Sequence, residues 1–435
     1  MPDADEMTLA ERLKYLRLVQ PGYLRGGRRE RSSMLDEAER VTHRHRKSLI
    51  RRLNGNLTGK TRARQRGRSY GPEMESAVRL VARSLDYPCA ERLQPALLPM
   101  GLALASHGEL VLSPGLLDRL GRISVSTVGR MVQRTLAPAA SAGVRRDGHL
   151  PRLARGRPSQ PNPLTRHIPA GRLPHPLPEA GHFEVDLVHH AGDTASGQYV
   201  HTLQLIDVAT GWSERVAILG RSYLVMRDAF ARLLARLPFP ILELHPDNGG
   251  EFFNHFLLTY WKEVVPGLTL SRTRPFRKND NPFVEEKNGS LVRGYIGFAR
   301  LDTVAQTNLL NRIYDRMWLL HNFFHPVMRL QDKWHRADGV LARSYDRARP
   351  PLDRLFATSA LDPDQHRALA NLRQATNPLQ LRNEVHALLD RLARLPKAKS
   401  GKPQDIYKTL FTTTTPTLPA ASPVTLSIEG SISLR

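Results

Sequence analysis

The sequence predicts a multidomain chain. All-α helix-turn-helix units come first, an α/β core on a five-stranded mixed sheet follows, and a mixed, largely helical region closes the chain. Three observations lead there. Helical hairpins with basic outer faces occupy the first 136 residues. Residues 137–178 then hold nine prolines and seven arginines against one acid, too little apolar material to bury and the composition of an extended linker. From Gly181 onward, short apolar runs alternate with amphipathic stretches, the signature of α/β structure.

Charge bounds the partner. The net charge is +23 and the sequence pI about 10.7, which points to a polyanion. Arginine richness from a GC-rich genome accounts for part of this, since 53 of the 64 basic residues are Arg. The distribution says more: residues 44–68 carry ten basic residues and no acid. A nucleic acid is the expected partner, and the helix-turn-helix reading makes it double-stranded DNA. A membrane surface is not, for want of a strongly apolar face, and no run approaches 18 apolar residues. The single cysteine, Cys89, excludes an internal disulfide and a multi-cysteine zinc site. With no basic-then-apolar leader in MPDADEMTLAERLKYL, a cytoplasmic setting is expected.

In order along the chain, domain 1–70 contains ERSSMLDEAERVTHRHRKSLIRRLN, read as two helices. Met34, Leu35 and Ala38 face inward on the first. Thr42 caps the second, and Leu49, Ile50 and Leu53 continue its buried side. Arg44, Arg46, Lys47 and Arg51 stay outside for DNA. Domain 71–136 ends in LLDRLGRISVSTVGRMVQRTL, a helix broken at Gly121 and restarted at Ser124 as N-cap. Ser126, Thr127 and Arg130 stand where a recognition helix meets bases and phosphates. The plain alternative for either hairpin is a helical bundle. Segment 137–178 is the basic linker.

The core, 179–330, has the order βββαβαβα: GHFEVDLVHH, the hairpin QYVHTLQLIDVATGWSERVAILG, helix SYLVMRDAFARLLARL, strand PILELHPD, helix NHFLLTYWKEVV, strand LTLSRTRPF and helix NPFVEEKNGSLVRGYIGFAR. That order matches a ribonuclease-H-like sheet with helices around it. Region 331–400 is a basic extended appendage, then helix over 363–395. KAKSGKPQ is a hinge, and 401–435 is a low-complexity tail.

Asp186 interrupts an apolar strand, where an unpaired charge is expensive. Asp247 ends the fourth strand, and HPDNGGEFFN turns immediately after it. In this order the two strands are neighbours. A third acid, Glu285 or Glu286, opens the last core helix; helix geometry alone leaves the choice open. Three converging carboxylates repel unless cations hold them. Two Mg²⁺ or Mn²⁺ ions, oxygen-ligated, would clamp the attacking and leaving oxygens of a phosphodiester. Asp207 reads as a turn former, Glu251 as a loop support that could also back up a metal ligand, and His189 and His190 as strand-end residues pointing oppositely.

FEVDLV, TLQLIDVATGW, HPDNGGEFFNH and SRTRPFRKNDNPFVEEKN together resemble a DDE insertion-sequence transposase with a retroviral-integrase-type core. The resemblance covers about 180–330, and the spacing from Asp247 to the third acid is near that usual in the superfamily. It implies that Asp186, Asp247 and Glu285 are the catalytic and metal-ligating acids. It selects Glu285 as the Glu directly after the apolar residue of N-x-x-V-E, with Asn288 and Arg293 on or near the same side and able to contact DNA. It further implies binding of terminal inverted repeats, 3′-end cleavage, strand transfer into target DNA, a homodimer or larger synaptic assembly, and a bacterial, nucleoid-associated location. His and Pro before Asp247, and Gly250 in place of a small polar residue, depart from the pattern without removing a ligand. The competing readings are a catalytically idle regulator descended from a transposase, a ribonuclease-H-type nuclease, and a structural chromatin protein.

Overall fold

The structure, a computed structural model, describes residues 7–57, 70–136, 162–275, 277–336, 339–399, 402 and 404–410. Most of the expected linker, residues 58–69 of the basic run, three positions of the KAKSGKPQ hinge and the tail from 411 lie outside the described residues. The chain divides into two compact units, 1–69 and 70–435.

The first unit has three helices where the sequence suggested a pair: α1 (Leu9–Arg25), α2 (Arg28–Thr42) and α3 (Arg46–Leu53). Thr8 and Glu11 form a reciprocal cap at the start of α1, which satisfies two otherwise orphaned N–H groups. Leu16, Tyr23, Leu35, Ala38, Leu49 and Leu53 make one small core. Gln20 on α1 donates to the carbonyls of Leu53 and Gly55 at 2.9 and 2.7 Å, closing the bundle on the end of α3. Thr42 does not cap α3. It is the buried last residue of α2 and donates to the Ala38 carbonyl. His45 caps α3 instead, accepting from the Lys47 N–H. Ile50, expected inside, is exposed.

The second unit starts with α4 (Pro72–Ser84), α5 (Ala90–Ser106), α6 (Pro114–Arg122) and α7 (Val125–Leu136). The break between α6 and α7 falls at Ile123–Ser124, after Gly121 rather than at it, because Ile123 is extended and buried. Next come β1 (Ala170–Gly171), β2 (His182–His189), β3 (Val200–Asp207), β4 (Ser213–Leu219), α8 (Tyr223–Arg236), β5 (Glu243–Pro246), α9 (His255–Val264), β6 (Thr269–Leu270) and β7 (Arg272–Thr273). The main sheet has the order β4-β3-β2-β5-β6. The first three strands are antiparallel and the last two join parallel. This is the five-stranded mixed sheet expected of a ribonuclease-H-like, integrase-like core. Strands β2 to β4 are buried nearly throughout, polar residues included: His201, Thr202 and Gln204 on β3 and Glu214 and Arg215 on β4 are as buried as their apolar neighbours.

One helix then runs from Pro282 to Ile296: α10 (Pro282–Lys287), a π-wound stretch over Asn288–Arg293, and α11 (Gly294–Ile296), ended by Gly297 at φ +75°. The long α12 (Val304–Leu319) packs on β4. The expected basic appendage is a hairpin, β8 (Leu330–His335) and β9 (Leu341–Tyr345), followed by α13 (Pro351–Leu355). The helix expected over 363–395 is two helices, α14 (Pro363–Ala375) and α15 (Pro378–Arg394). The Asn377–Pro378 step stops the first and starts the second, with the Asn377 side chain accepting from Leu379 and Gln380 N–H. α15 packs against α12, α4 and α5, so the helices of 70–136 and the sheet share one core cluster.

Candidate active site

Strand register brings the first two acids together. In the parallel β2–β5 pair, Val185 stands opposite Pro246. Asp186 and Asp247 are the next residue on each chain. Neighbouring strands lie about 4.8 Å apart and residues at equal register share a face. The two carboxylates are therefore adjacent, Asp186 within β2 and Asp247 just past the end of β5. Asp186, Asp247 and Glu285 line one open cleft of about 430 Å³, together with Asn248, Gly249, Thr273, Arg274, Arg277, Asn281 and Val284.

The turn after Asp247 answers to local chemistry. Asp247 Oδ1 accepts from the Gly249 N–H at 2.9 Å. Asn248 donates to the Thr273 carbonyl at 2.9 Å and accepts from Arg272 at 2.8 Å, fastening the loop to β7. A Cβ on Gly249 would stand 2.8 Å from Glu251 Cδ and 2.9 Å from Asp247 Oδ1. The glycine lets these two carboxylates fold over it.

Electrostatics mark the same place. Burial raises Asp186, and the nearby Glu285 and Glu251 push it the same way, against hydrogen bonds from the Leu187 N–H and Asn288. Burial and the charges of Asp186 and Glu251 hold Asp247 up at about 6. Mutual repulsion is thus present, and Glu251 belongs to it. The sequence offers Glu251 as a loop support that could also assist a metal site, and its charge acts on both Asp186 and Asp247.

Glu285 and Glu286 part company. Glu285 faces the cleft. Glu286 lies 2.9 Å from Lys287 Nζ and 4.0 Å from Arg92 of α5. Asn288 donates to Asp186 Oδ2 at 2.5 Å, and Arg293 donates to the carbonyls of His189 and Gly297. Both residues hold the helix against β2 in this structure. Arg46 likewise turns back on α2, paired with Asp36 and bonded to Ser32, while Lys47 and Arg51 are exposed and Arg44 half-buried. On α7, Ser126 and Arg130 are exposed, and Arg130 donates to Thr127 Oγ1 at 3.0 Å.

His190 is buried on Thr202 at 2.8 Å, and burial pushes it down to about 3. Asp207 accepts from Gly181 and Thr210 in its turn. Sequence reasoning missed Glu184, two residues before Asp186 and so on the same face. It is buried at 1% exposure and accepts from the Phe283 and Val284 N–H groups at 2.8 Å each. A second acid inside that apolar strand was the available signal.

The donor set, carboxylates alone, suits a hard divalent cation, which would relieve the repulsion that raises Asp186 and Asp247. Among the described residues no group of three or more His, Cys, Asp or Glu is gathered so as to hold a metal ion. None of their helices is long and apolar enough to cross a membrane.

No protein-family model matches the chain. The chain is 34% identical over 355 residues to the uncharacterized protein y4rM of Sinorhizobium fredii (strain NBRC 101917 / NGR234), a match spanning 81% of this chain and 97% of the relative. It belongs to the same family as y4rM. Among solved structures, it is similar to the catalytic core domain of BIV integrase at 17% identity and a TM-score of 0.24, over 33% of this chain and 84% of the other.

Proposed function

We propose that the chain is a DNA transposase that nicks the ends of its own mobile element and joins the freed 3′ ends to target DNA. The observation that carries this reading is the in-register adjacency of Asp186 on β2 and Asp247 just past β5, with Glu285 in the same cleft. Asp186, Asp247 and Glu285 would hold two Mg²⁺ or Mn²⁺ ions, which supply activation of the attacking hydroxyl and neutralisation of charge at the departing oxygen. Arg274 and Arg277 on the cleft lip hold the phosphates flanking the scissile bond. Arg274 is pre-set by a two-point bond to Asp280. Asn288 keeps Asp186 aimed into the cleft through its 2.5 Å bond. Lys47 and Arg51 on α3, and Ser126 and Arg130 on α7, grip the element ends. Two copies of the chain act on the paired ends.

The test is strand cleavage of labelled duplexes carrying the DNA that flanks the coding sequence, with Mg²⁺. Wild-type protein nicks them. Asp186→Asn, Asp247→Asn and Glu285→Gln each abolish nicking while duplex binding in a gel shift survives. Undiminished nicking by any of the three refutes the assignment. Binding without nicking by wild-type protein favours the idle regulator.

A further inference from the structure

The helix that carries Glu285 has an unusual start. Its first N–H groups need acceptors, and the residue placed to supply one is Asn281, a favoured capping type. Asn281 makes no side-chain cap bond, and its Oδ1 is buried without a hydrogen-bond partner. Pro282 has no N–H. The next two donors, Phe283 and Val284, both give their hydrogen bonds to Glu184 Oε2, at 2.8 Å each. A capping role that is ordinarily local has moved to a side chain about 100 residues away, on β2.

The same strand takes hold of the helix a second time. Asp186, on the same face as Glu184, accepts from Asn288. Glu285 lies between the two anchor points, one residue after Val284 and three before Asn288. α10 is a short stretch that passes directly into π-wound backbone with a Gly294 to Gly289 bond. Such a helix resists sliding along the sheet poorly by itself. Among the described residues, the other carboxyl oxygen, Oε1, is buried without a hydrogen-bond partner, so the hydrogen bonds of Glu184 go to this helix start. Protonated on Oε1 or ionised, the carboxyl leaves Oε2 an acceptor.

We infer that Glu184 is a positioning residue of the site: as a remote N-cap it fixes the helix of Glu285 against β2 and so sets the distance from Glu285 to Asp186. It touches neither substrate nor metal. The inference rests on the function proposed above only for its consequence; the anchoring itself can be read without DNA or metal.

The experiment compares full-length wild type with Glu184→Gln, which keeps an acceptor oxygen, and Glu184→Met, which fills the space without one. Hydrogen-exchange mass spectrometry is followed on peptides spanning 282–290 and on the sheet peptides of β3 and β4. In Glu184→Met the 282–290 amides exchange at least tenfold faster while β3 and β4 are unchanged; Glu184→Gln matches wild type. Mn²⁺ titration by electron paramagnetic resonance then shows affinity about 10- to 100-fold weaker in Met, the range seen when groups orienting a metal ligand are removed, and near-wild-type affinity in Gln. Unchanged 282–290 exchange in Glu184→Met overturns the inference. So does a Gln variant as impaired as Met, because the carboxylate charge rather than the acceptor then matters. If wild type binds no Mn²⁺, the proposed function fails while the exchange result still decides the anchoring.

Discussion

Glu285 and Glu286 are adjacent and chemically identical, yet the structure assigns them opposite consequences. Glu286 sits beside Lys287 Nζ at 2.9 Å. Lys287 is only 5% exposed, and burial lowers it to about 8, with Glu286 holding it up. Removing one partner of a fully buried pair costs about 3–5 kcal/mol. Glu286 is 48% exposed, so water screens much of this and about 1–2 kcal/mol is the working figure for Glu286→Gln. The effect on melting is a few degrees at most, since about 1 kcal/mol moves a 150–250-residue domain by roughly 2–4 °C and a larger unit by less. Glu285 faces the cleft, and its carboxylate adds to the repulsion on Asp186. Glu285→Gln relieves that repulsion and leaves stability unchanged or slightly higher. In cleavage the order reverses: Glu285→Gln falls below detection and Glu286→Gln keeps most of its rate. Differential scanning fluorimetry and the nicking assay on the same preparations read both axes. A Glu286→Gln protein that is stable but inactive, beside an active Glu285→Gln, refutes the assignment and the helix rotation behind it.

Gly249→Ala places a methyl within 3 Å of Asp247 and Glu251. The carboxylates swing aside, the fold survives, and nicking drops about 10- to 100-fold, consistent with displacement by a fraction of an ångström to one ångström; full activity in that variant contradicts the packing. Two buried histidines make the 70–435 unit sensitive to acid. Burial lowers His190 and His201 to about 3, against about 6.5 in the unfolded chain. The unfolded state therefore binds more protons below pH 6.5, and stability falls with pH through that window. At pH 5 the loss is about 2 kcal/mol per histidine, while Glu184 and Asp247, raised to about 8 and 6, gain over the same range. The test is therefore the change in urea midpoint between pH 7.5 and 5, which should be less acid-sensitive in His190→Gln than in wild type; an identical pH response in the two counts against it. Lys47→Ala with Arg51→Ala should weaken duplex binding and flatten its salt dependence by about one unit of log–log slope per lost phosphate contact. An unaltered slope removes α3 from the interface.

The core strands were legible because apolar residues recur along them between turn residues, and Asp186 and Asp247 were legible because a buried charge is costly there. Their neighbour relation needed only the order. What escaped the sequence depends on distant partners. Glu184 caps a helix about 100 residues on, and no local pattern announces that. Asn288 and Arg293 carry the residue types of DNA contacts, and no local pattern announces that they also bond to Asp186 and the His189 carbonyl. Thr42 was as good a cap by type as His45, and only the left-handed turn at His43 decides between them. The hairpin over 330–345 has too polar a pattern to separate from an irregular extended segment: β8 is exposed along nearly its whole length.

The account stands or falls on the cleft between β2, β5 and α10. The most direct measurement is anomalous diffraction from crystals soaked in Mn²⁺. The account predicts peaks within coordination distance of Asp186 and Asp247, with Glu285 drawn in. A cleft without manganese at saturating concentration, or peaks confined to other acids, contradicts it.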